Sequence, residues 1–166
     1  MEERPSTPAD ILVKLYELPP LDISRTEERG VVVRRARAWE RHIVVGWVAA
    51  EFEPGWASET EVAYARQPIS CFVAERAGDL VGFACYDTTA LGFFGPLGVA
   101  GSARGGGIGA ALLLVGLHAM LDQGYGYAII GAAGPIDFYQ RHVGGIAIPD
   151  SWPGVYADPL GPREDG

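Results

Sequence analysis

Lysine is almost missing from this sequence. Lys14 is the only one among 13 basic residues, and the formal net charge is −8. A nucleic-acid surface needs clustered lysine and arginine, so the composition argues against a nucleic-acid partner. An acidic protein instead favours a cationic or amine substrate. No apolar run reaches 18 residues, and Met1–Asp10 lacks the apolar core of a signal peptide. We therefore expect no membrane association and a cytoplasmic location.

Cysteine is scarce as well. Cys71 and Cys85 are the only two, and each lies in an apolar run typical of a strand. Such cysteines are usually small buried residues, and a bridge between them is the alternative. With 48% apolar and 20% charged residues, the chain has the composition of one globular domain. We expect it to span residues 10–157, between a leader at 1–9 and a tail at 158–166.

Apolar periodicity and turn residues predict the secondary structure. Strands are expected at 11–18, 70–76, 80–88, 93–99, 127–131, 146–148 and 154–156. Helices are expected from 24, along 32–47, from 58 to Pro68, and at 108–123 and 135–142. The second helix is predicted from apolar residues spaced three or four apart: Val32, Ala36, Trp39, Ile43 and Trp47. The order of these elements predicts a mixed sheet with helices on both faces.

The glycine-rich stretch from Arg104 to Ala110, RGGGIGA, joins the strand at 93–99 to the helix at 108–123. A glycine loop at a helix start offers backbone N–H groups without partners, no Cβ to block a ligand, and a positive dipole end. Such a loop binds phosphate or pyrophosphate.

Two known phosphate-binding patterns fit the loop poorly. A P-loop needs Lys and then Ser or Thr, but Gly109 and Ala110 stand there. The dinucleotide pattern is matched by Gly105, Gly107 and Ala110, yet five residues separate this loop from the strand. The next strand also lacks the acidic residue that the dinucleotide pattern requires.

A third pattern fits. Arg104-x-x-Gly107-x-Gly109 resembles the R/Q-x-x-G-x-G/A signature of the GNAT N-acetyltransferase superfamily. The resemblance extends in order and spacing over residues 10–156, and two further segments carry it. Leu97-Gly98-Val99 resembles the end of its fourth strand, and Phe138-Tyr139-Gln140-Arg141 with Gly144 resembles the helix after its fifth strand. The chain departs from the family at Gly101, where proline is usual, and at 131–134, where an asparagine is common.

The resemblance implies an α/β (α+β) fold: a mixed, mostly antiparallel sheet of six to seven strands with helices on both faces. It also implies a splay between the family's fourth and fifth strands, here 93–99 and 127–131. The implied co-substrate is acetyl-CoA, with no metal. The residues implied to bind it are Leu97, Gly98, Val99, Arg104, Gly105, Gly106, Gly107, Ile108, Gly109 and Ala110. For Arg104, a surface salt bridge is the alternative role.

The implied reaction is direct transfer of an acetyl group to an amine of an unidentified small-molecule or peptide acceptor. Tyr139 matches the family's general acid, which protonates the CoA thiolate; a packed helix tyrosine is the alternative. The general base is not identified, and four carboxylates are open candidates: Glu51, Glu53, Glu75 and Asp87. Tryptophans that could line an acceptor pocket or the core are Trp39, Trp47, Trp56 and Trp152. The other function considered is a non-catalytic CoA-binding or regulatory module, and a homodimer is compatible with the apolar surface.

Overall fold

The computed structural model describes residues 7–161. Its strands are β1 (Ala9–Lys14), β2 (Val31–Arg35), β3 (Cys71–Arg76), β4 (Asp79–Tyr86), β5 (Phe93–Val99), β6 (Tyr127–Ala133) and β7 (Ile146–Ala147). Its helices are α1 (Ser24–Glu28), α2 (Arg41–Glu51), α3 (Pro54–Tyr64), α4 (Ile108–Asp122) and α5 (Ile136–Val143). The strands form one sheet in the order β2-β3-β4-β5-β6-β1-β7. Only β5 and β6 pair in parallel among the described strands, which confirms the predicted mixed, mostly antiparallel sheet.

The sheet is covered by helices on both faces, as predicted. On β4, Phe83 and Cys85 join the core cluster that includes the buried residues of α2 and α3. Ala84 and Tyr86 point the other way, into the cluster that includes α4. This alternation is the two-residue period of a strand buried on both sides. A fully buried leucine such as Leu112 of α4 contributes about 1.5–3 kcal/mol to folding.

The predicted helix along 32–47 is wrong before Arg41, which is more than half of its length. Residues 31–35 form β2, which pairs antiparallel with β3. Three consecutive valines favour a strand, and pairing with β3 decides the conformation. The helix begins only at Arg41, and it buries Val44 and Val48. Trp39 and Ile43 of the predicted apolar face are exposed.

Three other predicted elements differ from the structure. The strand expected at 11–18 ends at Lys14, and residues 15–17 form one turn of 3₁₀ helix. Residues 154–156 form one turn of 3₁₀ helix and not a strand. The helix expected from Ser58 already begins at Pro54, because proline is well suited to the first helical turn. Residues 1–6 and 162–166 of the expected leader and tail lie outside the described residues. Within the described part, β1 starts at Ala9, and Asp158 lines a cavity.

A β-bulge interrupts β5 at Gly95 and Pro96. Between Phe94 and Leu97, β5 advances three residues while its partner β4 advances two. A proline inside a strand is expected at an edge or a bulge, and the central place of β5 leaves the bulge.

The bulge coincides with the end of pairing between β5 and β6. Their parallel pairing joins only Phe93 to Ile129 and Phe94 to Ile130. Beyond these positions the two strands diverge, which confirms the predicted splay. The splay opens the middle of the sheet, and this opening positions the site.

The surroundings of two helix glycines lead us to expect opposite effects of an alanine substitution on stability. Gly46→Ala should raise the free energy of unfolding by about 0.5–1 kcal/mol, because Gly46 is exposed in α2 with nothing within 4 Å of an added Cβ. Gly116→Ala should lower it by about 1–3 kcal/mol, because the added Cβ would overlap the ring of Phe94. Urea unfolding followed by circular dichroism measures both. An unchanged stability of Gly116→Ala would contradict the packing of α4 on β5.

Candidate active site

Two adjoining cavities occupy the opening between β5 and β6, with volumes of about 890 and 870 Å³. The first, here called the acidic cavity, has Glu53, Glu59 and Asp158 in its lining. The second, the glycine-loop cavity, is lined by residues of the stretch from 104 to 111 and by α5. Four residues line both: Trp56, Leu97, Pro135 and Tyr139. The cavities therefore meet at the diverging strands, where two ligands can touch.

The glycine loop ends at the start of α4. Gly105 and Gly107 have φ angles of +85° and +81°, in the left-handed region that favours glycine. Gly107 is the residue before the helix, and no side chain caps it. The first N–H groups of α4 have no carbonyl partner within the helix, and the positive end of the helix dipole lies there. This geometry suits an anion such as a phosphate.

Positive side chains collect around the glycine-loop cavity. Arg25, Arg104 and Arg141 line it, against one acidic residue, Asp22. Within residues 7–161, none of these three arginines forms a salt bridge. In a chain of net charge −8, the side chains of this cavity locally favour an anionic ligand.

An aromatic cluster lies over β5, which lines both cavities. A Cβ on Gly98 would lie 2.5 Å from Cζ of Phe52, so only glycine lets this ring pack on β5. The Phe52 ring packs in turn against Trp56, with 5.1 Å between centroids, and against Trp47 at 5.6 Å. Phe52 and Trp56 thus line the cleft with apolar surface beside Leu97.

Tyr139 of α5 lies where the cavities meet. Its side chain is buried, with 9% of the residue exposed, and its hydroxyl forms no hydrogen bond to another described residue. Burial raises the pKa of Tyr139, because desolvation disfavours the phenolate. The group is therefore a protonated hydroxyl at neutral pH, available to a ligand in the cleft.

The sequence profile of the acetyltransferase (GNAT) family matches residues 39–144, well over half of the chain. The chain belongs to the GNAT acetyltransferase family. No curated protein matches this GNAT chain significantly.

Solved structures of GNAT proteins share the fold. A glucosamine N-acetyltransferase region of a fungal multi-domain β-N-acetylglucosaminidase aligns with a TM-score of 0.71 and 15% identity, over 86% of this chain and 20% of that one. GCN5-related N-acetyltransferases from Sphaerobacter thermophilus and Kribbella flavida each have 20% identity and align with 86% of this chain. Their TM-scores are 0.63 and 0.59, over 49% and 55% of their own lengths. This GNAT chain thus spans about half or less of each of these proteins.

The structure brings most of the predicted GNAT site residues together. All but one of those predicted to bind acetyl-CoA line the glycine-loop cavity: Leu97, Gly98, Val99, Arg104, Gly105, Gly107, Ile108, Gly109 and Ala110. Gly106 lies in the loop but outside this lining, and a Cβ on it would be 3.5 Å from Nη1 of Arg29. Their roles in binding stay predictions.

No helix in the described range 7–161 is both long and apolar enough to cross a membrane. The described residues also hold no cluster of three or more His, Cys, Asp or Glu placed for a metal ion.

Of the four carboxylates considered as the general base, only one lines the acidic cavity. Glu53 lines the acidic cavity, whereas Glu51 does not. Glu75 pairs with Arg34, with 3.2 Å between carboxylate and guanidinium. Asp87 is buried, accepts bonds from the Gly92 N–H and the Tyr125 hydroxyl, and raises the pKa of Tyr125 to about 12. Glu75 and Asp87 therefore serve structural contacts.

Two of the four tryptophans line a cavity and two do not. Trp56 and Trp152 line the acidic cavity. Trp47 packs against the core, and Trp39 is exposed with the Arg37 guanidinium 5.8 Å from its ring centre.

Sequence reasoning missed three residues of the site. Arg25 lies in α1 and Arg29 directly follows this helix, and both reach the glycine loop only through the fold. Glu59 lies in α3 and lines the acidic cavity beside Thr89, whose hydroxyl donates a hydrogen bond to Oε1 of Glu59. No local pattern marks these residues, because each acquires its surroundings from a distant segment.

Proposed function

We propose that this chain is an acetyl-CoA-dependent N-acetyltransferase that transfers the acetyl group directly to an amine. The observation that carries the proposal is the continuous cleft at the splay. A cationic glycine loop lies at one end of this cleft, and a protonated tyrosine lies at its middle. Family membership supports the same activity.

The glycine loop and the nearby arginines fit the pyrophosphate of acetyl-CoA. In this proposal the N–H groups at the start of α4 hold the pyrophosphate, and Arg104 adds a charge-assisted bond. Glycines at 105 and 107 fit the role because they leave the loop backbone without side chains that would block a close approach. Leu97, Gly98 and Val99 lie alongside the rest of the donor, whose thioester supplies an activated acetyl group.

Tyr139 acts as the general acid in this proposal. Acetyl transfer makes a C–N bond and breaks the C–S bond, so that the sulfur leaves with the electron pair. A free thiol has a pKa of about 8.5, so a phenol with an ordinary pKa near 10 gives up its proton to the thiolate at a cost of about 2 kcal/mol. Burial raises the pKa of Tyr139 and so adds to this cost. The place of Tyr139 at the junction of the two cavities supports this role.

Calorimetry with acetyl-CoA and a thiol-release assay with a broad set of amines test this function. We expect saturable acetyl-CoA binding and thiol release that depends on an added amine. Binding without turnover of any amine would instead favour the non-catalytic CoA-binding module. Absence of acetyl-CoA binding would contradict the donor assignment itself.

A further inference from the structure

The two cavities carry opposite charge. The charged side chains lining the acidic cavity, within residues 7–161, are Glu53, Glu59 and Asp158, all carboxylates. Lys, Arg and His are missing from that described lining. Such a cavity attracts a cation and repels a ligand that carries a carboxylate or phosphate.

The walls of the acidic cavity are apolar and aromatic. Trp56, Phe94, Pro96, Trp152 and Tyr156 line it. The rings of Trp152 and Tyr156 lie 6.4 Å apart at 33°. Apolar atoms contribute most of the surface of this lining, so a ligand rich in hydroxyl groups would lose more hydrogen bonds to water than the cavity replaces. An apolar ligand body would gain buried contact, and aromatic faces also attract cations.

Glu59 is the carboxylate of this cavity that the protein holds most firmly. It is half-buried, and the Thr89 hydroxyl binds its Oε1. The second carboxylate oxygen forms no hydrogen bond to another described residue. The titratable groups near Glu59 are the carboxylate of the exposed Glu53, the phenol of Tyr156 and the buried thiol of Cys85.

We propose that the acceptor is a primary amine carried on an apolar, preferably aromatic, body, and that Glu59 takes the proton from its ammonium group. This inference rests on the proposed acetyltransferase function and specifies its acceptor. Glu59 removes one proton from the ammonium, and the freed lone pair forms the C–N bond with the thioester carbon. The C–S bond then breaks, Tyr139 gives its proton to the leaving sulfur, and the phenolate recovers a proton from the new amide nitrogen. The proton on Glu59 returns to solvent, so the balance is one ammonium and one thioester to one amide, one thiol and one proton.

Two matched acceptors test the acceptor class. Phenylalanine is 2-phenylethylamine with one added carboxylate, and glucosamine places an amine on a hydroxyl-rich ring. We expect kcat/KM for 2-phenylethylamine to exceed that for each of the other two by at least about 100-fold. Equal or better use of phenylalanine would contradict the charge argument. Equal or better use of glucosamine, the acceptor in the name of the fungal relative, would contradict the apolar one.

Glu59→Gln tests the base, with Glu61→Gln as the matched control. Glu61 lies on the same helix but outside the cavity, 3.6 Å from Arg41 in a surface ion pair. For Glu59→Gln we expect kcat/KM to fall at least about tenfold with unchanged acetyl-CoA binding, while Glu61→Gln keeps both values. Unchanged kcat/KM in Glu59→Gln overturns the base assignment.

The pH profile separates a base from a structural residue. Burial, and less strongly the charge of Glu53, raise the pKa of Glu59, while the Thr89 bond lowers it in part. The base works as carboxylate, so kcat/KM of the wild type should fall as the pH drops through this raised pKa. Glu59→Gln should lose that acid limb, and Glu61→Gln should keep it.

The results also separate this inference from the proposed function. Turnover of glucosamine or phenylalanine in preference to 2-phenylethylamine overturns the acceptor class and leaves the acetyltransferase standing. Acetyl-CoA binding with no turnover of any amine overturns both.

Discussion

Tyr139→Phe is expected to lower kcat by about 10²–10⁴-fold and to leave acetyl-CoA binding nearly unchanged, because general acid catalysis contributes about that much. The substitution removes only the hydroxyl. The ring keeps its edge-to-face contact with Phe138, with 5.1 Å between centroids. Steady-state kinetics with a fixed amine measure kcat, and calorimetry measures binding.

Tyr64→Phe is the matched control for this prediction. The Tyr64 hydroxyl is buried without a hydrogen-bond partner in the described residues, and Tyr64 lines neither cavity. Its removal should preserve kcat and leave stability equal or higher, since an unpaired buried hydroxyl is destabilising. An unchanged kcat in Tyr139→Phe would refute the assignment of Tyr139 as the acid.

Ala110→Glu should weaken acetyl-CoA binding by about 100-fold without harming the fold. Ala110 is the third residue of α4 and lines the glycine-loop cavity. A carboxylate in the first helical turn stabilises a helix, so the variant should fold normally. The same charge would face a bound pyrophosphate. Two like charges about 5 Å apart repel by about 3 kcal/mol at an effective dielectric constant of 20, which corresponds to about 100-fold in affinity.

Ala110→Gln separates charge from size. Glutamine has almost the same volume as glutamate, so any steric loss should appear in both variants. We expect at least a tenfold weaker binding for Ala110→Glu than for Ala110→Gln in calorimetry at low salt, with the gap narrowing as salt rises. Equal affinities would show that no phosphate group lies at the start of α4.

The glycine loop and the elements around it could be predicted from sequence because their signals are local. The loop carries glycines where φ is positive, and α5 is followed by Gly144, which has φ of +63°. Each of these features lies within a few residues of the element it shapes. The positions of β5 and α4 were accordingly predicted within one residue.

The features that could not be predicted from sequence depend on contacts between distant segments. β2 has a helix-like apolar spacing in its sequence, and it becomes a strand by pairing with β3, forty residues later. Glu59 is an ordinary helix glutamate in sequence. It differs from a surface glutamate because Thr89 binds it and because Trp152 and Tyr156 line the same cavity. Arg25 joins the glycine loop across about 80 residues of chain. Pairing partners and enclosure cannot be predicted from a local pattern.

The bulge at Gly95 and Pro96 divides the molecule into parts of different tolerance to change. On the glycine-loop side, the proposed donor contacts are backbone groups of β5 and of the helix start, which most side-chain substitutions leave in place. On the acidic side, the walls are side chains from α3 and from residues 152–158. Under the proposed function, substitutions at positions such as Trp152 or Tyr156, which line only the acidic cavity, should therefore change which amines are accepted while the donor remains the same. This fold offers a protein engineer a constant half and a variable half within a single cleft.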